Sequence, residues 1–107
     1  MARAYKNAKV DLTSTDITVL YTCPSVTTAI VTSILVSEDS GNADTISLTL
    51  TNTASAVFSL YKVKAVSANT TVELLTRPLV VLESEILKVQ AATADRLHVV
   101  ASLLELS

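Results

Sequence analysis

A single cysteine, Cys23, excludes an internal disulfide framework and any metal site built from several thiolates. It reads as a small buried hydrophobe at a strand end. One glycine, Gly41, cannot build a phosphate-cradling loop, which needs several. Tryptophan is absent, so the cysteine–tryptophan–cysteine hallmark of immunoglobulin domains cannot occur. Only Tyr5, Tyr21, Phe58 and Tyr61 are aromatic, little material for the stacking platforms on which sugars are bound. Charge is sparse as well. Eight Lys and Arg against ten Asp and Glu give a net charge of −2, with no basic face of the kind that meets nucleic acid.

Long apolar runs are missing too. No window approaches the roughly eighteen uninterrupted apolar residues of a membrane span. The segment Met1 to Leu12 carries positive charges without an apolar centre, so it does not read as a secretory signal. The expectation is a soluble chain made in a reducing cytoplasm, with no nucleic-acid or membrane partner and no cofactor.

What the sequence does have is β-branched residues. The stretch Tyr21 to Ser37 ends one strand, turns at Pro24, and continues as a long run of Val, Ile, Thr and Ser. Such side chains lose little rotamer freedom on a pleated surface. Simple alternation sends Ile30, Thr32, Ile34 and Val36 one way and Val31, Ser33 and Leu35 the other. Neither face is polar, which implies cover on both sides.

Similar segments recur along the chain. Ala4 to Leu12 is a first candidate strand, and Ile17 to Thr22 a second, with Ile17, Val19 and Tyr21 on one face. Thr45 to Asn52 alternates without error, Ile46, Leu48 and Leu50 inward against Ser47, Thr49 and Thr51. In Val57 to Val66 the apolar set changes face near Tyr61, from Phe58 and Leu60 to Tyr61, Val63 and Ala65, as a bulge would produce. Thr71 to Thr76 turns Val72 and Leu74 inward, and Leu79 to Leu82 follows the break at Arg77-Pro78. Ile86 to Ala92 points Leu87, Val89 and Ala91 inward; Leu97 to Leu106 does the same with Leu97, Val99, Ala101 and Leu103. No segment has a helical period. The pattern predicts an all-β fold, an antiparallel β-sandwich of about eight strands, jelly-roll-like, with an immunoglobulin-like sandwich as the alternative.

Residues 1–107 read as one domain. Within it, residues 1–9 could serve as an N-terminal arm whose Arg3, Lys6 and Lys9 reach a partner subunit, or could simply fray.

Chemistry-bearing groups are few. His98 lies on the outward side of the last strand, and Ser102, four residues along the same face, is ~13 Å away at strand rise, too far for a dyad. Glu83 and Glu85 share a turn and read as solvated charges rather than an acid–base pair. The acidic stretch Glu38 to Asp44 around Gly41 raises calcium, but its spacing does not match the twelve-residue calcium loop, and it reads as a hairpin turn. No residue qualifies as catalytic, cofactor-binding or metal-ligating, and an enzyme is not expected.

The anomaly is apolar residues on faces that should be wet. Leu75, Val80 or Val81, Val100, Leu104 and Leu106 cannot all share a core with their neighbours. Exposed together they exceed what a soluble monomer tolerates, so part of the outer surface is expected to be covered in an assembly.

The run Tyr21-Thr22-Cys23-Pro24, Thr27 to Ser37, the Ser-Gly turn, and Thr45-Ile46-Ser47-Leu48-Thr49-Leu50 resembles small virion proteins of tailed bacteriophages. So does the later run Val66 to Leu75, Arg77-Pro78-Leu79-Val80, Leu82, and Leu87-Lys88-Val89-Gln90-Ala91. The resemblance spans about four-fifths of the chain and is one of style rather than of a catalytic signature. It implies a non-enzymatic β-sandwich part of a virion, often a homotrimer. A capsid decoration (cement) protein bound to the major capsid protein is the first reading, and a neck, tail, collar or fibre-adaptor component the second. A carbohydrate- or receptor-binding module is a third reading, which the scarcity of aromatics disfavours. In such proteins the turn before the Leu87 strand commonly carries Gly-Asp, whereas here it is Glu83-Ser84-Glu85. No site residue is implied.

Overall fold

The computed structural model describes residues 2–107, and its regular structure is entirely β. In chain order the strands are β1 (Arg3–Asp11), β2 (Thr18–Thr22), β3 (Thr28–Glu38), β4 (Asp44–Thr51), β5 (Val57–Val66), β6 (Thr71–Glu73), β7 (Leu79–Val81), β8 (Ile86–Ala91) and β9 (Leu97–Leu106). Two antiparallel sheets form. One runs β1-β9-β3-β6, with β7 also paired to β3; the other runs β2-β8-β4-β5.

The pairing is nested. The β4–β5 hairpin lies innermost in the sequence; β3 pairs with β6 and β7, β2 with β8, and β1 with β9. The two sheets make the antiparallel β-sandwich expected from the strand spacing. The count is nine because Arg77-Pro78 splits one edge into two short strands, β6 opposite Leu35–Ser37 and β7 opposite Ala29–Val31. Proline has no N–H to offer β3, so the ladder is interrupted there.

The core fills the space between the sheets with aliphatic side chains. Val31, Ile34, Val36, Val99 and Leu103 come from one sheet, and Ile46, Leu48, Leu87 and Val89 from the other. Each such burial contributes roughly 1.5–3 kcal/mol. The inward sets expected for β4, β8 and β9 face this core, Leu50 only partly.

Three expectations are corrected. In β3, a register shift between Val31 and Ser33 leaves Thr32 as an extra residue. An extra residue flips the phase, so Ala29 and Val31 point inward together with Ile34 and Val36, while Ile30, Ser33 and Leu35 point out. In β2, a shift between Val19 and Tyr21 likewise turns Leu20 and Tyr21 inward and leaves Ile17 and Val19 exposed. In β5 the expected bulging occurs, as register shifts opposite Ser47 and between Tyr61 and Ser59. Its result differs from a simple change of face: Val63 and Ala65 stay exposed, and Val63 takes φ 54°. Tyr61 packs against the core and donates its hydroxyl hydrogen to Leu74 O at 2.6 Å.

Residues 3–9, considered as an arm or a frayed end, belong to the sandwich. They form most of β1, which pairs with β9 in unbroken register from Arg3↔Leu106 to Asp11↔His98. Beyond the strand, Ala2 and Ser107 exchange both backbone hydrogen bonds, at 2.6 and 2.9 Å. Alternating Ala8 and Val10 give this strand an apolar side to lay on the core.

Candidate interaction surface

The outer face of the β1-β9-β3 sheet carries an apolar row at right angles to its strands. Tyr5 on β1 stands opposite Leu104 on β9, Leu104 opposite Ile30 on β3, and Ile30 opposite Val80 on β7. Tyr5 is 86% exposed and Val80 51%, at the two ends of the row. A second row, four residues further along, runs Lys9, Val100, Leu35 and Glu73. Between the rows lie Asn7, Ser102 and Ser33. Leu106 and the neighbouring Leu82 extend the apolar area beyond the first row.

Of the residues expected on the outside, Val80, Val100, Leu104 and Leu106 share this one face. Val81 is buried, and Leu75 packs against the core from the β6–β7 connection. Tyr5, Ile30 and Leu35 also belong to the surface, and alternation along the sequence does not reveal it, because their places depend on strand partners and on the Thr32 bulge. A shallow groove on this face is lined by Tyr5, Asn7, Ile30, Thr32, Ser102 and Leu104.

The groups with chemical potential are engaged within the chain. His98 sits between two carboxylates, its Nε2 3.2 Å from Asp11 Oδ1 and its Nδ1 3.6 Å from Asp39 Oδ2. Ser102 lies four residues further along β9, beside Asn7 and Ser33, so the two are not brought together. Cys23 is buried, its thiol directed at Thr27 O at 3.3 Å, and burial pushes the thiol pKa up.

Glu83 and Glu85 are turn fasteners. Glu83 Oε2 accepts from Val26 N–H at 2.7 Å and Glu85 Oε1 from Leu82 N–H at 2.8 Å. Between them Ser84 takes φ 64° and donates its N–H to Cys23 O at 2.8 Å. That left-handed position is the one a glycine occupies without strain.

The acidic turn after β3 is organised by Glu38, which is buried. Its carboxylate accepts from the Ser40 hydroxyl, from Ser40 N–H at 2.9 Å, from Gly41 N–H at 3.0 Å and from Asn69 N–H at 3.2 Å. Burial alone would raise its pKa; these donors outweigh it and hold the group down at about 2. The oxygens thus serve backbone donors, and no cluster of three potential metal ligands occurs among the described residues.

A third carboxylate joins the two sheets. Glu105 on β9 accepts from the Tyr21 hydroxyl of β2 at 2.5 Å and forms an ion pair with Lys6 of β1 at 2.9 Å. The Tyr21 bond and then Lys6 lower its pKa, while burial and the same carboxylate push the Tyr21 hydroxyl far up.

No protein-family profile and no curated protein matches the chain. Among solved structures, that of infectious bursal disease virus, Gt strain, is similar in trace, with a TM-score of 0.43 and 8% identity over 98% of this chain and 30% of that one. The chain thus spans less than a third of that longer protein. Neither the fold described above nor a function rests on that likeness. Among the described residues no helix is long and apolar enough to cross a membrane.

Proposed function

We propose that this chain is a non-enzymatic structural component of a tailed-phage virion, and that within it the protein decorates and cements the capsid. It associates with copies of itself and with the major capsid protein, and it engages neither nucleic acid nor membrane. The observation that carries the reading is the outer face of the β1-β9-β3 sheet, where Tyr5, Leu104, Ile30 and Val80 stand in one cross-strand row. A soluble domain with that much aligned apolar surface gains by covering it. Laid on a shell, the face adds buried area without needing a binding pocket, and so holds neighbouring capsid subunits together against internal pressure. The phage-like style of the sequence supplies the kind of partner.

The engagement of the polar groups supports the non-enzymatic part. Glu38, Glu73, Glu83, Glu85 and Glu105 all accept hydrogen bonds from their own chain. Sugar binding is the rival from another class. Its exposed aromatics would be Tyr5 and Phe58, and these stand on different sheets, so they do not form one stacking platform.

Quantitative mass spectrometry of the purified virions tests the reading. Hundreds of copies per particle are expected for a decoration protein. A dozen or fewer would move the protein to a neck, tail, collar or fibre-adaptor role, and absence from the particle would overturn the virion reading. A glycan array addresses the sugar-binding rival.

A further inference from the structure

The four edges of the two sheets are not alike. The β2 edge is interrupted by a register shift, and the β5 edge by two. The edge shared by β6 and β7 is broken at Arg77-Pro78. Bulges and proline are the devices that keep a sheet edge from pairing with another chain. The β1 edge has neither: nine residues in unbroken register, without proline.

The hydrogen-bonding phase of that edge can be read from its ends. Ala2 exchanges both backbone bonds with Ser107, and Leu12 N–H donates to Leu97 O at 3.0 Å. In an antiparallel pair these bonded positions recur every second residue. Ala4, Lys6, Ala8 and Val10 therefore spend their backbone groups on β9. The N–H and C=O groups of Arg3, Tyr5, Asn7 and Lys9 point away from it, into the open, as does the N–H of Asp11, whose C=O accepts from Thr13 N–H at 3.0 Å and keeps one lone pair free; all five residues are exposed.

We propose that β1 pairs antiparallel with β1 of a second copy of this chain, about a two-fold axis at Asn7, joining the two sheets into one. The charges choose the register. With Asn7 opposite Asn7, each Arg3 faces the other copy's Asp11 and each Tyr5 faces the other copy's Lys9. Opposite charges across strands attract, and a lysine stem and ammonium pack well on a tyrosine ring. On the inner side Ala4 meets Val10 and Lys6 meets Ala8, while each Lys6 keeps its own Glu105 at 2.9 Å. The free backbone groups also fit only registers that set odd-numbered residues opposite odd. Sliding two residues one way puts Arg3 against Lys9 and Lys6 against Lys6, both like-charged pairs. Sliding the other way takes Arg3 off Asp11. The self-complementary register is the one in between.

This contact goes beyond the virion reading and does not depend on it. Its effect is to run the apolar row of one copy, ending at Tyr5, into the second row of the other, beginning at Lys9 and Val100. The outer faces of the joined sheets then form one surface.

Sedimentation equilibrium of the full chain at micromolar concentration is expected to give a dimer. Asp11→Arg sets Arg against Arg3 at both ends of the contact and is expected to weaken the dimer by roughly tenfold or more. The double exchange Arg3→Asp with Asp11→Arg restores opposite charges and is expected to restore the dimer, which also shows that the variant chain folds. Asn7→Cys is expected to form a disulfide-linked dimer on mild oxidation, since its counterpart lies directly opposite, whereas Lys9→Cys is not. A monomer, a homotrimer of the kind the phage resemblance implies, or a dimer indifferent to Asp11→Arg would overturn the two-fold contact. So would failure of the double exchange to restore it. Each of these results would leave the virion reading to its own test.

Discussion

Tyr21 and Glu105, 84 positions apart in the chain, meet through a hydroxyl–carboxylate hydrogen bond of 2.5 Å that ties β2 of one sheet to β9 of the other. Apart from this bond and that of the Tyr61 hydroxyl to Leu74 O, the two sheets adhere mainly through aliphatic contact, which is non-directional and tolerates sliding. A charge-assisted bond between them fixes how one sits on the other. Lys6 reaches the second carboxylate oxygen, so the edge strand β1 is anchored through the same group.

Tyr21→Phe keeps the ring in the core and removes the hydroxyl. The expected loss is about 1–3 kcal/mol, because one oxygen of a buried carboxylate then lacks its partner, Lys6 holding only the other. Lys6→Ala should cost less, since its ammonium is partly in solvent. Urea unfolding of both variants beside the parent at neutral pH measures the difference. No loss on Tyr21→Phe would show that Tyr21 acts through packing alone.

Acid stability follows from three carboxylates. Glu38 is held at about 2, and Glu73 and Glu105 are also lowered. A carboxyl whose folded pKa lies below its unfolded value of about 4.3 stabilises the fold above that value. The contribution fades as pH falls through the folded pKa. Thermal midpoints are therefore expected to be level near neutrality and to drop on acidification below about pH 4.3. Glu38→Gln should lower the midpoint at pH 7 and lie progressively closer to the parent toward pH 2. A constant gap between the two across that range would show that charge on Glu38 contributes nothing.

The turn Leu82–Glu85 makes a prediction of the opposite sign. Glu85 N–H donates to Leu82 O at 3.1 Å, with Ser84 at positive φ in the third position. A side chain there is strained by about 1 kcal/mol relative to glycine. Ser84→Gly is expected to stabilise by up to about 0.5 kcal/mol after the added freedom of the unfolded chain is counted. Denaturant midpoints decide it.

The contrast between strands shows which parts of this fold are legible in sequence. Thr45 to Thr49 and Leu97 to Leu106 keep strict alternation, and their inward residues can be named from it, whereas at the end of β4 Leu50 is only half-buried and Thr51, expected outward, is buried. β3 cannot be read that way past Thr32, because one unpaired residue reverses every later side chain while the composition on both sides stays Val, Ile and Ser. β2 fails for the same reason at Leu20. Segments considered for other roles, residues 3–9 and Glu38 to Asp44, gain their places from partners far away: β9 for the first, and Asn69 N–H for part of the second. The outer face was legible only in part. Val100 and Leu104 stand out because they interrupt a polar phase, but Tyr5 joins them solely through the β1–β9 register.

The outer row separates assembly from folding, and that separation gives the final prediction. Tyr5 and Val80 are among the most exposed large apolar side chains on that face, so replacing them removes little buried area. Tyr5→Ala and Val80→Asp are each expected to leave the unfolding free energy within about 0.5 kcal/mol of the parent. On the proposed function, both should weaken attachment to the virion shell, and Val80→Asp more, since it places an unpaired charge against an apolar contact. Co-sedimentation with particles stripped of this protein reads attachment directly, while urea unfolding of the same preparations reads stability. Full attachment by Val80→Asp would place the shell contact away from this row, whereas lost attachment with stability unchanged assigns it there. Ile34→Ala serves as the opposite control. It opens a cavity in the core between the sheets, and the expected cost of about 2–5 kcal/mol falls on folding first.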